Sequence, residues 1–211
     1  MSRGLFITLE GIEGVGKTTQ LQRAQAYLSA SGRELVVTRE PGGTPVGEAI
    51  RNVLLDKTYT GMSVDAELLL MFAARAEHIA KVIKPALARG AIVLCDRFTD
   101  ATYAYQGGGR QISLERIGAL EDFVQHSLRP DCVLVLDAPV DAALARARKR
   151  SAEDRFEAET VAFFERVRAL YLARANRFAS HVVIDAQRSI DEVGAEIESA
   201  LAQLLAGEAR G

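Results

Sequence analysis

The stretch GIEGVGKT, residues 11–18, constrains the fold more than any other part of the chain. It has the spacing G-x-x-x-x-G-K-[ST], with Gly11, Gly16, Lys17 and Thr18 in register. It follows the apolar run LFITLE and precedes a segment of helical spacing, which is the strand–loop–helix context of a phosphate-binding loop. Glycines let backbone N–H groups approach phosphate oxygens, and a helix N-terminus adds partial positive charge. The sequence therefore predicts a nucleotide-binding loop.

Short runs rich in β-branched residues alternate with longer segments of helical spacing along the whole chain. The runs predicted as strands are residues 5–10, 34–39, 91–96, 132–138 and 181–186. Most of them are apolar on both faces, as strands of a covered parallel sheet are. The longest helical segment, residues 65–90, is predicted to end at Gly90. This alternation predicts a doubly wound α/β fold, with a five-stranded parallel sheet covered by helices on both faces.

Length and composition are those of one globular domain, predicted to span residues 1–211. The net charge of −2 gives no general attraction to nucleic acid or to an anionic membrane, and no apolar run reaches the length of a membrane span. The N-terminus lacks the apolar stretch of a signal peptide. Cys95 and Cys132 lie inside apolar runs and are predicted to be buried thiols, which favours a cytoplasmic protein.

A phosphate-binding loop occurs in small-molecule kinases, in switch GTPases and in motor or partition ATPases. The N-K-x-D guanine motif of switch GTPases is absent, and 211 residues leave little room for a motor's coupling domain. A kinase needs a second phosphate site, and ligands of open α/β sheets bind at the carboxyl ends of the strands. Arg39 and Glu40 end the second predicted strand, and Asp96 and Arg97 end the third. These strand ends favour a kinase.

Five motifs follow one another in order: EGIEGVGKTT, TREPGGTPVGEAIR, FAARAEHI, CDRFTDATYAYQGGGR and RARKRSAEDRFE. Together they resemble the motifs of bacterial thymidylate kinases, and the resemblance covers nearly the whole chain. It implies a P-loop kinase fold with a mobile lid at about residues 146–158. It also implies transfer of the γ-phosphate of ATP to dTMP, a need for Mg²⁺, and a homodimer. Another nucleoside or deoxynucleoside monophosphate kinase is the alternative, and a P-loop switch protein is a more distant one.

The resemblance implies roles in binding the acceptor nucleotide. Glu13 is implied to face dTMP, and Arg97 to clamp its phosphate. Further contacts to dTMP are implied for Arg39, Arg51, Arg75, Thr102, Tyr105 and Gln106. A contact with the face of the thymine ring is implied for Met71 or Phe72, which share a helix face with Arg75.

Other residues are predicted to bind ATP and the metal. The predicted ATP-binding residues are Gly11, Gly14, Val15, Gly16, Lys17, Thr18, Thr19 and Arg146. Lys17 bridges the β- and γ-phosphates in such loops, and the Thr18 hydroxyl ligates Mg²⁺. Asp96 is predicted either to order Mg²⁺ and its waters or to hold Arg97.

The run RARKRSAEDR is interpreted as the lid that supplies positive charge during phosphoryl transfer. No arginine lies between Gly11 and Gly16, so this charge must come from outside the loop. The basic residues of the run are Arg146, Arg148, Lys149, Arg150 and Arg155. Arg150 and Arg155 are predicted to be catalytic, together with Lys17, Arg97 and Glu13. Arg155 is favoured, with Asp154 and Glu157 placed to hold its side chain.

The glycine-rich stretch YQGGGR is predicted to be a flexible turn, with Arg110 at the rim of the substrate site. A second phosphate-binding loop is disfavoured there, because no strand immediately precedes the stretch and no Lys-Ser/Thr pair follows it.

Overall fold

Five parallel strands form the centre of the protein in a computed structural model that describes residues 3–148 and 155–208. The strands are β1 Leu5–Glu10, β2 Leu35–Arg39, β3 Ile92–Asp96, β4 Cys132–Asp137 and β5 His181–Asp185. Their order in the sheet is β2-β3-β1-β4-β5, and every neighbouring pair is parallel. All five predicted strands are confirmed to within one residue at each end. The phosphate-binding motif follows β1, the central strand.

Helices connect the strands. They are α1 Lys17–Ser29, α2 Pro45–Leu55, α3 Val64–His78, α4 Lys84–Ala88, α5 Thr99–Thr102, α6 Leu114–Gln125, α7 Val140–Ala147, α8 Val161–Ala175 and α9 Ile190–Glu208. The π-helical stretch Ile79–Ile83 joins α3 to α4, a second one at Tyr103–Gly109 continues α5, and a 3₁₀ turn covers Lys57–Tyr59. The long helical segment predicted before Gly90 is therefore confirmed.

Alternate residues of the central strands belong to two different cores. Leu5 and Ile7 of β1 pack in a cluster that includes residues of α1, α8 and α9. Phe6 points to the opposite face and packs with Ile83 and Ala86. Because both faces of the sheet are covered, the prediction of a doubly wound α/β fold is confirmed.

The stretch YQGGGR does not form the predicted flexible turn. Residues Tyr103–Gly109 are π-helical and mostly buried, and they pack against α8. A Cβ atom on Gly108 would lie 2.7 Å from the carbonyl oxygen of Arg166, and one on Gly109 would overlap the ring of Phe163. The glycines therefore permit close packing of two helices, and the prediction of a flexible turn is wrong.

Two other expectations concern cysteines and membranes. Cys95 and Cys132 are buried free thiols, as predicted. Within the described ranges, the helices are all too short or too polar to cross a membrane.

Candidate active site

The loop between β1 and α1 leaves the N-terminus of α1 open to an anion. Gly14 and Gly16 have φ values of 78° and 95°, which favour glycine. A Cβ atom on Gly14 would overlap the carbonyl oxygen of Ala143 in α7. Gly16 precedes α1 without a side-chain cap, and the first turn of α1 carries no acidic residue. No carboxylate in the first turn of α1 therefore competes with an anionic ligand for the backbone N–H groups of that turn.

Lys17 folds back over the loop. Its Nζ donates hydrogen bonds to the carbonyl oxygens of Gly11, at 3.0 Å, and Ile12, at 2.8 Å. The side chain as a whole is half-buried, but its ammonium group lies among these carbonyls. Burial, with the charge of Arg97 as the second cause, lowers the pKa of Lys17 to about 8. This positive charge of Lys17 is therefore present at pH 7 and is lost as the pH rises through about 8.

Arg97 lies beside the loop in a tight polar cluster. Its Nη2 donates to Glu13 at 2.8 Å, and its Nη1 donates to the Gly11 carbonyl at 2.9 Å and to the Tyr171 hydroxyl at 3.1 Å. The Tyr105 hydroxyl donates to the other oxygen of Glu13 at 2.5 Å, and its ring centre lies 4.9 Å from the Arg97 guanidinium carbon.

Arg97 keeps hydrogen-bonding capacity for a ligand. A guanidinium has five N–H donors. Three go to Glu13, Gly11 and Tyr171, and the guanidinium also interacts with the Tyr105 hydroxyl. The backbone of Arg97 has φ 67°, which is uncommon for a residue with a side chain and marks functional sites. The arginine is thus fixed in place beside the phosphate-binding loop, with at least one N–H donor left for an anion.

A cavity of about 310 Å³ opens at the carboxyl ends of the strands. The predicted site residues that line it are Glu13, Gly14, Lys17, Thr18, Arg51, Met71, Arg75, Asp96, Arg97, Thr102, Tyr105 and Gln106. The phosphate-binding loop and most of the predicted acceptor residues thus share one cavity.

Arg75 is held at the cavity wall by a buried network. Its Nε donates to Glu40 at 2.7 Å, and its Nη2 donates to the Thr102 hydroxyl at 2.8 Å and to the Phe98 carbonyl at 3.0 Å. The second oxygen of Glu40 lies 2.9 Å from Nδ1 of His78. Glu40 was recognisable from the sequence as a strand-end residue, but its partners were not, because they lie on a distant helix.

Met71 and Phe72 face different surroundings although they are adjacent in α3. Met71 lines the cavity. Phe72 is 2% exposed and packs in a core cluster with Tyr103 and Ile117. The structure therefore places Met71 where it can pack on a bound base. It corrects the expectation for Phe72, whose ring lies in the core.

Three predicted arginines do not line the cavity. Arg39 is exposed and pairs with Glu48 at 2.8 Å. Arg146 is exposed and donates to the Ala186 carbonyl at 3.0 Å. Arg110 was predicted at the rim of the substrate site, but it pairs with Glu67 and Glu159.

Arg155, the favoured catalytic arginine of the predicted lid, is buried. Its Nη1 pairs with Glu67 at 2.7 Å, and its Nε donates to the Leu54 carbonyl at 2.8 Å. Phe156 and Glu157, the next residues, line the cavity, but Arg155 does not. This arrangement does not place the Arg155 charge on a transferring phosphoryl group. The remaining lid residues, Lys149, Arg150 and Asp154, lie outside the described residues.

Thr18 and Asp96 fit the prediction of a Mg²⁺ site. Both line the cavity, and Asp96 Oδ1 is buried without a hydrogen-bond partner in the described part of the chain. A buried carboxylate oxygen in this state is costly unless a cation or water supplies a partner. No group of three or more His, Cys, Asp or Glu ligands occurs among the described residues. Mg²⁺ suits so small a donor set, because it keeps several of its own waters.

Glu10 is a site residue that sequence reasoning missed. It ends β1 and is fully buried; it accepts from the Phe98 amide at 2.7 Å and from the Tyr171 hydroxyl at 3.0 Å. Burial, with the charge of Asp100 second, raises its pKa to about 8. Tyr171 in turn contacts Arg97. An acidic residue in an otherwise apolar strand was the available signal.

Known proteins resemble this chain over nearly its full length. The family model for thymidylate kinase matches residues 9–197. The thymidylate kinases of Pseudomonas fluorescens Pf-5 and Pseudomonas syringae pv. tomato DC3000 are each 58% identical over 203 residues, which is 96% of this chain and 97% of each relative. The crystal structure of thymidylate kinase from Ehrlichia chaffeensis matches with a TM-score of 0.76 at 36% identity, covering 95% of this chain and 99% of that one. The fold is thus the P-loop kinase fold, and the chain belongs to the thymidylate kinase family.

Proposed function

We propose that the chain transfers the γ-phosphate of ATP to dTMP and so forms dTDP. One observation carries this proposal: the phosphate-binding loop opens into the same cavity as a second cationic site, formed by Arg97 and Arg51. A switch protein needs only the first of these sites, whereas a kinase needs both. Membership of the thymidylate kinase family supports the same reaction.

The donor side of the cavity suits the triphosphate of ATP. The open N-terminus of α1 faces the phosphates, and Lys17 exchanges its two loop carbonyls for β- and γ-phosphate oxygens. Thr18 and Asp96 would hold Mg²⁺, which would supply neutralisation of the phosphate charge. Of the other predicted ATP-binding residues, Gly14 lines this side of the cavity, whereas Gly11, Val15 and Thr19 do not, and Val15 packs in the core. Arg146 is proposed to contact the nucleotide from the end of α7.

The acceptor side suits a pyrimidine deoxynucleoside monophosphate. Arg97 takes the acceptor phosphate, since a guanidinium binds phosphate by a two-point fork. Glu13 and Tyr105 lie beside it toward the sugar. Arg75 and Thr102 read the edge of the base, and Met71 packs on its face.

A panel of acceptors tests the proposal. With ATP as donor, we expect dTMP to be the best substrate in an assay coupled to ADP release. The thymine methyl fills an apolar part of the cavity, and such a contact is worth about 1–3 kcal/mol. We therefore expect dUMP to have a kcat/KM about 10- to 100-fold lower and purine monophosphates to give no turnover. Turnover of AMP or GMP equal to that of dTMP would show that the alternative, another nucleoside monophosphate kinase, is correct.

We also propose that the protein is a cytoplasmic homodimer built from single domains, each with a lid at about residues 146–158. The support for the dimer is apolar surface on two neighbouring helices: Leu69 of α3 is 57% exposed and Phe123 of α6 is 77% exposed. Exposed apolar surface of this kind marks interfaces. Sedimentation equilibrium should give twice the chain mass of 22.9 kDa, and Phe123→Asp should shift the mass toward one chain. A single-chain mass for the unmodified protein would refute the dimer.

A further inference from the structure

Glu67 is a buried carboxylate outside the cavity that binds three side chains at once. It lies in the first turn of α3 and is 1% exposed. Its oxygens accept from Gln106 Nε2 at 2.8 Å, from Arg110 Nε at 3.2 Å and from Arg155 Nη1 at 2.7 Å. A buried charge is tolerated only when paired, and two of these partners are cations. The three donors come from two separate parts of the chain, which Glu67 ties together.

The first of these parts is the acceptor side of the cavity. Gln106 lies in the π-helical stretch after α5 and lines the cavity. A carboxylate can only accept hydrogen bonds, so Gln106 must present its NH₂ group to Glu67. The carbonyl oxygen of Gln106 therefore remains for other partners. Glu67 thus decides which polar group of Gln106 is available to the cavity.

The second part is the segment that begins at Arg155, the first described residue after residue 148. Arg155 is held between Glu67 and the Leu54 carbonyl at the end of α2. The ring of Phe156 lies 4.6 Å from the Arg155 guanidinium carbon, lines the cavity, and meets the Tyr105 ring edge-on at 5.9 Å. Because Arg155 is fastened to Glu67, Phe156 is fixed as part of the cavity wall.

We propose that Glu67 is a positioning residue for the acceptor nucleotide. Its carboxylate orients the amide of Gln106 by a direct hydrogen bond. Through Arg155, the same carboxylate holds the ring of Phe156 at the wall of the same cavity. The chemical identity of the acceptor rests on the proposed function, but the positioning role does not. Lys17 and Thr18 on the donor side do not contact Glu67. Loss of the carboxylate therefore weakens acceptor binding and leaves the donor side unchanged.

Steady-state kinetics of Glu67→Gln and Glu67→Asp test this role. Glu67→Gln keeps the shape but turns one acceptor oxygen into a donor that faces other donors. We expect it to raise the KM for dTMP about 10- to 100-fold, the range for a misplacement of about 1 Å, while the KM for ATP stays within about twofold. Glu67→Asp keeps the charge but is shorter by one carbon, so its rise in dTMP KM should be smaller than that of Glu67→Gln. If Glu67→Gln does not fold, Glu67→Asp decides the question alone.

Glu121→Gln is the matched control. Glu121 is a buried helical carboxylate that accepts from Tyr103 at 2.7 Å and pairs with Arg129 at 2.8 Å, but it does not line the cavity. The Glu121→Gln variant should have a lower Tm than wild type, without a selective rise in the KM for dTMP. Equal effects of Glu67→Gln and Glu121→Gln on both KM values, or an unchanged dTMP KM in folded Glu67→Asp, would overturn the proposal. If the wild-type protein prefers another acceptor nucleotide, the KM for that nucleotide is compared between wild type and the variants. The proposed function and the positioning role of Glu67 can therefore fail independently of each other.

Discussion

Replacing Arg97 by lysine should weaken dTMP binding about 10- to 100-fold and leave ATP binding nearly unchanged. Arg97 already gives three N–H groups to Glu13, Gly11 and Tyr171, and only the five-donor guanidinium has further N–H groups for an incoming phosphate. Lysine keeps the charge but has three donors at a single nitrogen, so it cannot both hold the cluster and grip a phosphate by two points. Isothermal titration of each nucleotide measures the two affinities directly.

Arg174→Lys is the control for this experiment. Arg174 is also a half-buried arginine with a carboxylate partner, Asp100 at 2.6 Å, and with its guanidinium carbon 3.7 Å from the centre of the Tyr103 ring. It does not line the cavity. The Arg174→Lys variant should therefore have a lower free energy of unfolding than wild type, with an unchanged affinity for dTMP. Unchanged dTMP affinity in a folded Arg97→Lys protein would refute the role of Arg97 as the acceptor clamp.

Features encoded in neighbouring residues could be predicted from the sequence. The strands are continuous apolar runs, because both faces of a parallel sheet are buried, and their ends are correct to within one residue. The phosphate-binding loop is equally local, since its glycine spacing and flanking elements are contiguous. Arg97 could be placed at the site because it follows a strand at the carboxyl edge of a parallel sheet, and Arg75 because its motif resembles a known family.

Features that depend on contacts between distant segments could not be predicted. YQGGGR has the composition of a turn, but its glycines let a helix approach Phe163 of α8. Met71 and Phe72 are both apolar, and only the packing of Phe72 against Tyr103 decides which one faces the cavity. Arg155 lies in a basic run that predicts a lid, yet its partner, Glu67, is far away in the sequence. In each case contacts with segments distant in the sequence decided the outcome.

The lid proposed at residues 146–158 should supply the charge that stabilises the transferring phosphoryl group. The loop between Gly11 and Gly16 carries no arginine, and Arg155 is engaged by Glu67. The charge is therefore expected from Arg150, or from Arg148 at the exposed end of α7. Arginines that act on a transferring phosphoryl group are worth about 10³-fold or more in kcat. Because such a group acts mainly in the transition state, its loss lowers kcat and kcat/KM together.

Single-turnover kinetics on Arg148→Ala, Arg150→Ala and Arg155→Ala separate these roles. We expect one of the first two, or their combination, to lower the rate of transfer about 10³-fold with little change in nucleotide affinity. Arg155→Ala should instead raise the dTMP KM, because it frees Phe156 from the cavity wall. Arg89→Ala is the control, since Arg89 pairs with Glu34 on the surface at the opposite end of the sheet. If all three variants and the triple variant keep a near wild-type rate, residues 146–158 are not a catalytic lid, and the charge comes from Lys17, Arg51 or Arg97.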